Sequence, residues 1–135
     1  MTQSITLTLD WPSADLSPNA RVHPLALHRA KKKAKNAAWF LTKAAMGPRG
    51  IVYGSWRGPI TVQYTFHPSM DRDRDDDNFA SRMKASRDGI ALALGVNDSG
   101  FTQLPVVLGP KRKPAYVVVT LTPAAVALPV KGKIG

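Results

Sequence analysis

Ile60, Val62, Tyr64 and Phe66 alternate with Thr61, Gln63 and Thr65, the period-two pattern of a strand with one buried face. The chain then runs into Asp71, Arg72, Asp73, Arg74, Asp75, Asp76, Asp77 and Asn78. Beyond that segment Phe79, Met83, Ile90 and Leu94 recur at helical spacing, which predicts a second helix from about Asn78 to Leu94, stopped by Gly95.

Working outward, Ile5, Leu7 and Leu9 alternate with Thr6, Thr8 and Asp10 and predict a first strand. Trp11 to Pro24 reads as a loop, punctuated by Pro12, Pro18, Asn19 and Pro24. Leu27, Ala34, Ala38, Leu41 and Ala45 predict a long first helix from Leu25 to about Met46, with Gly47 and Pro48 as its stop. Residues 47–59 hold four glycines and two prolines and read as a mobile loop, with a short strand at Ile51 to Tyr53. Leu104 to Leu108 and Ala115 to Thr122 read as two core strands joined as a hairpin, with Lys111, Arg112 and Lys113 at its tip. The tail from Pro123 to Gly135 is expected to fray. The order is β-α-β-α-β-β. It predicts one α+β domain over 1–135, a small mixed or antiparallel sheet carrying two main helices.

Charge carries the functional signal. The 135 residues include 19 Lys plus Arg against nine acids, a formal net charge of +10, and every acid is Asp. Seven of those Asp lie between positions 71 and 98, while 16 to 70 holds nine bases and no acid. A basic body around one acidic segment attracts polyanions by counterion release, yet the acids repel phosphate unless a cation sits between. Nucleic acid with a divalent metal reconciles the two. The chain has no cysteine, which excludes disulfides, thiolate zinc sites and cysteine nucleophiles. It has no apolar run of membrane-spanning length and no secretory leader pattern, so an intracellular, cytoplasmic protein with no membrane partner is expected.

If the chain stays extended past the second strand, Asp71, Asp73, Asp75 and Asp77 project to one side and Arg72 and Arg74 to the other. Carboxylates without His or Cys are hard ligands that suit Mg²⁺, Mn²⁺ or Ca²⁺. An EF-hand loop from Asp71 would need Gly and Glu where the chain has Asp76 and Arg82, so that motif is excluded. No Walker-type phosphate loop occurs. Metal-assisted phosphodiester hydrolysis remains, beside the plainer reading that one or two Asp cap the second helix and the rest are solvated.

Arg74-Asp75-Asp76-Asp77-Asn78, then Lys84 and Asp88-Gly89, then Gly95-Val96-Asn97-Asp98-Ser99 resemble the RusA-type Holliday junction resolvases of bacteria and their phages. Trp11-Pro12-Ser13 and Ser17-Pro18-Asn19 before a basic helix resemble that family too. The likeness of element order spans roughly residues 4 to 122. It implies that Asp75, Asp77 and Asp98 bind Mg²⁺, with Mn²⁺ as the alternative, and that a helix lysine assists catalysis. Counting back from Asp88 selects Lys84 for that role, with Arg82 as the fallback, although Lys84 arrives about one turn later after Asp77 than the family's spacing. Asn97 stands where the family often has an acid, so Asp73 or Asp88 is expected to add charge. The resemblance further implies a homodimer acting on four-way DNA junctions by paired nicks. The alternatives are a noncatalytic DNA-binding protein and a nuclease acting on flaps or forks.

Arg29, Lys31, Lys32, Lys33 and Lys35, with Arg21 and Lys43 nearby, form the expected phosphate-contacting helix face. Arg72, Arg74, Lys111, Arg112 and Lys113 join the DNA-contacting set. Trp56 and Arg57 are candidates for stacking on an opened base, although a lone loop Trp more often packs against its own domain. His67, between the second strand and the acidic run, is a candidate general base, although a surface or core-edge role fits it, His23 and His28 better.

Overall fold

The structure, a computed structural model, describes residues 3–70 and 79–127. Its elements run β1 (Ile5–Asp10), α1 (Pro24–Arg49), β2 (Trp56–His67), α2 (Lys84–Leu94), β3 (Phe101–Gln103), β4 (Val107–Leu108) and β5 (Tyr116–Val126). Short 3₁₀ turns sit at Ala14–Leu16, Ala80–Met83 and Asp98–Gly100. The fold is α+β, with two helices and a five-stranded mixed sheet.

Alternation decides which face of each strand is covered. Ile5, Leu7 and Leu9 of β1, Ile60, Val62, Tyr64 and Phe66 of β2, and Val117, Val119 and Leu121 of β5 are all buried. They form one core with Ala38 and Met46 of α1 and Ile90, Ala93 and Leu94 of α2. The sheet order is β1-β5-β2-β3, with β4 also on β2. Pairing is antiparallel between β1 and β5 (Leu7 opposite Val119) and between β5 and β2 (Tyr64 opposite Val119). It is parallel between β2 and both β3 and β4. Parallel neighbours cannot be joined by a tight turn; the acidic segment and α2 make up the crossover from β2 to β3.

Several expectations are corrected. Pro48 does not stop the first helix but lies inside α1, which ends only at Gly50 in the left-handed region (φ 66°). Gly47 precedes Pro48 and has no Cβ to clash with its ring, and the Arg49 guanidinium donates to the Ala45 carbonyl at 2.9 Å. Residues 47–59 are therefore the last turn of α1, a turn, and the start of β2, with no strand at Ile51 to Tyr53. Gly58 (φ 73°) and Pro59 form a bulge in β2 between the pairs Arg57–Ala125 and Ile60–Pro123. The second helix is a 3₁₀ turn followed by the shorter α2.

Leu104 to Leu108 and Ala115 to Thr122 do not form a hairpin, because β4 and β5 lie on opposite sides of β2. Val106, Val107 and Leu108 are at least 36% exposed on the sheet edge rather than in the core. The expected frayed tail begins as strand, with β5 reaching Val126; residues 128–135 lie outside the described residues.

Candidate metal and nucleic-acid site

α1 and α2 pack against one another through a contact that only glycine permits. A Cβ on Gly89 would collide with the Lys35 carbonyl oxygen and stand 3.1 Å from the Trp39 nitrogen. This near-backbone crossing places the basic face of α1 beside Asp88, the residue before that glycine. Lys84, four residues earlier on α2, lies on the same helix face as Asp88.

The turn after α2 brings in a second acid. Gly95 takes the left-handed conformation (φ 74°), its N–H donating to the Ala91 and Leu92 carbonyls, and Val96 N–H follows to Ala91 at 3.1 Å. The Asn97 side chain then accepts from Ser99 N–H at 2.9 Å, starting the 3₁₀ turn of Asp98–Gly100. Asp98 thereby reaches hydrogen-bonding contact with Asp88. Burial raises the Asp88 pKa above the ordinary aspartate range, and the hydrogen bond and negative charge of Asp98 push the same way, while Lys84 and Lys35 oppose them.

Of the residues selected from sequence, Lys84 and Asp98 therefore converge at Asp88, and Lys35 joins them from α1. Asp75 and Asp77, with Asp71, Asp73, Asp76, Arg72 and Arg74, lie outside the described residues. Among the described residues no three His, Cys, Asp or Glu side chains gather where they could hold a metal ion. The oxygen-only pair Asp88 and Asp98 fits a hard divalent cation in donor chemistry. Arg82, the alternative to Lys84, has its guanidinium 5.7 Å from the Phe79 ring centre.

The predicted basic face of α1 divides. His28, Lys31, Lys32 and Lys35 line a cleft of about 510 Å³ together with Lys84, Asp88 and the Asp15–Ala20 loop. Lys33 turns the other way, into a groove between α1 and β1. Arg29 is solvent-exposed on α1. Lys111, Arg112 and Lys113 form no hairpin tip but the loop from β4 to β5. That loop folds over the end of β2, with Arg112 N–H donating to the Pro68 carbonyl at 3.0 Å and all three bases beside Ser69 and Met70. The basic loop thus flanks the point where the acidic segment begins.

His67 helps place that loop. Its Nδ1 lies 2.9 Å from the Pro110 carbonyl, its ring stacks on Tyr116 at 4.6 Å, and Gly109 passes so close that a Cβ would strike the imidazole. These contacts make it a structural residue at the sheet end. His23 caps α1 by accepting from Leu25 N–H. Trp56 packs against its own domain and is not placed to stack on a base: it is 3% exposed, and its indole N–H donates to Gln3 at 2.8 Å. Arg57 turns back onto the Gly54 and Trp56 carbonyls. Trp11 packs edge-on against Phe66 and Phe79, so the Trp11-Pro12-Ser13 loop packs on the end of β2 and on the residue that opens the second helical region.

Sequence reasoning assigned Asp88 only a supporting place and did not connect it with Lys35. The available signal was the pair Asp88-Gly89, in which the glycine lets α1 approach. No family model matches the chain. Over 120 residues it is 40% identical to an uncharacterized protein of Xylella fastidiosa (strain Temecula1 / ATCC 700964), covering 89% of this chain and 77% of that one. The two chains belong to one family.

Proposed function

We propose that this chain is a Mg²⁺-dependent endodeoxyribonuclease of RusA type, resolving four-way DNA junctions by paired nicks in recombination and repair. The observation that carries the reading is the return of Asp98 onto Asp88 beside Lys84 and Lys35, at the mouth of a cleft lined by further lysines. The Asp88 carboxyl, whose proton affinity is raised by burial and by the hydrogen bond with Asp98, fits a site that exchanges a proton for a cation. The basic surroundings fit a polyanionic substrate.

Asp75, Asp77 and Asp98 hold the metal in this reading, with Mn²⁺ as the alternative ion and Asp88 as a supporting carboxylate. When bound, the metal supplies Lewis acidity and lowers the pKa of water at neutral pH. Lys84 and Lys35 hold the phosphate and offset negative charge that grows on its oxygens in the transition state. Lys31 and Lys32 position the backbone on one side, and Lys111, Arg112 and Lys113 on the other. Arg29, Lys33, Arg72 and Arg74 extend that contact set. Symmetric cutting of a junction requires two sites related by a dyad, hence a homodimer. DNA resolution also places the protein in the cytoplasm of a bacterial cell; among the described residues no helix is long and apolar enough to cross a membrane.

Incubation of the native protein with a synthetic four-way junction and Mg²⁺ or Mn²⁺ tests the reading. Paired nicks with linear duplex left intact are expected, and Asp77→Asn and Asp98→Asn should abolish them while preserving or tightening junction binding. No cleavage by the native protein in either ion would leave a noncatalytic DNA-binding protein. Cleavage of flaps or forks in preference to junctions would redirect the substrate assignment.

A further inference from the structure

The cleft between α1 and α2 is larger than a phosphate requires. Its volume of about 510 Å³ falls in the range of pockets that enclose a whole small ligand, roughly 300–1,000 Å³. Its chemistry is divided. Lys31, Lys32, Lys35 and Lys84 supply positive charge, against Asp15 and Asp88, whereas Leu16, Leu27 and Ala85 present apolar surface. The shape is set by backbone, since the Gly89 crossing fixes the spacing of the two helices. An occupant that satisfies both parts carries an anion joined to a body with an apolar face. Paired duplex DNA presents only its phosphates at such a depth; an unstacked nucleotide presents both phosphate and base.

We propose that this cleft is a nucleotide pocket, in which Lys31, Lys35 and Lys84 hold the phosphate and the base lies against Leu16, Leu27 and Ala85. The ligand is a deoxynucleotide, either a unit turned out of the DNA at a branch point or a free mononucleotide. As a site on the DNA, the pocket rests on the junction-nuclease reading; as a site for a free nucleotide, it does not.

Calorimetric titration of the native protein with dTMP, with inorganic phosphate and with thymidine tests it. Saturable dTMP binding, about tenfold or more tighter than either half alone, is expected. The double variant Lys31→Gln and Lys35→Gln should weaken it about tenfold through lost phosphate contacts. Ala85→Phe, which fills the cleft and leaves every charge in place, should eliminate it while the protein melts as a folded domain. Phosphate binding as tightly as dTMP, or dTMP binding indifferent to Ala85→Phe, would overturn the proposal.

A junction carrying 2-aminopurine at its branch identifies the source. A fluorescence rise on binding that disappears in Ala85→Phe assigns a nucleotide of the DNA; dTMP binding without that rise assigns the free nucleotide. The two readings separate cleanly. Native protein that binds dTMP but never cuts a junction keeps the pocket and removes the nuclease. Junction cleavage without dTMP binding and without the fluorescence rise does the reverse.

Discussion

Gly89→Ala is expected to destabilise the protein even though alanine is the better helix former. In a helix interior the exchange ordinarily contributes about 0.8–1 kcal/mol of stability. Here the new methyl would meet the Lys35 carbonyl oxygen, with the Lys35 carbonyl carbon at 3.0 Å and the Trp39 nitrogen at 3.1 Å. All three atoms are backbone, so no rotamer change can relieve the contact and α1 and α2 must move apart. Overpacking of this kind costs about 1–3 kcal/mol and sometimes more. The net loss should then be up to about 2 kcal/mol, or as much as roughly 8 °C in Tm for a domain of this size. Thermal and urea denaturation of the native protein and the variant provides the measurement. A Gly89→Ala protein more stable than the native one would refute the close crossing, and with it the placement of Lys35 beside Asp88.

Asp88 gives a prediction in pH. Its folded pKa is raised, so the native state binds a proton more tightly than the unfolded chain. The associated stability is present below the ordinary aspartate value and falls as pH rises through the raised one. In chelator, Asp88→Asn should flatten that part of the melting profile, and an unchanged slope would remove the carboxyl pair. Trp56→Phe should lower stability by about 1 kcal/mol through loss of the hydrogen bond to Gln3. Junction affinity should stay within about twofold, because the ring is buried; a large loss would restore a DNA contact. Lys111→Gln with Lys113→Gln should reduce the salt dependence of junction binding, lowering the magnitude of the log–log slope by about 2. An unaltered slope would take the β4–β5 loop off the DNA.

Strands with one covered face were legible in the sequence because alternation is local. β1, the later part of β2 and β5 follow directly from their apolar spacing. What failed was punctuation and partnership. Pro48 reads as a stop, yet the absent Cβ of Gly47 relieves the usual clash before proline; Gly58-Pro59 reads as loop but is accommodated opposite Ala124 as a bulge. The apolar run at Val106 to Leu108 resembles half of a hairpin, whereas its partner β2 precedes it by a whole crossover. No local pattern distinguishes those two pairings. Within the site, Lys84 and Asp98 were accessible through spacing and resemblance. The link from Lys35 to Asp88 was not, since it depends on a helix crossing between residues distant in sequence.

The sheet order also governs when the molecule can fold during synthesis. β5, the last described strand, is interior, and β1 pairs only with it among the described strands. A nascent chain that has not yet released Tyr116 from the ribosome holds β1 without a hydrogen-bonding neighbour and β2 with one side bare. Completion of the core therefore waits on the emergence of β5, the high-contact-order route that folds slowly. During that interval the exposed strand edges are the surfaces a chaperone has to shield.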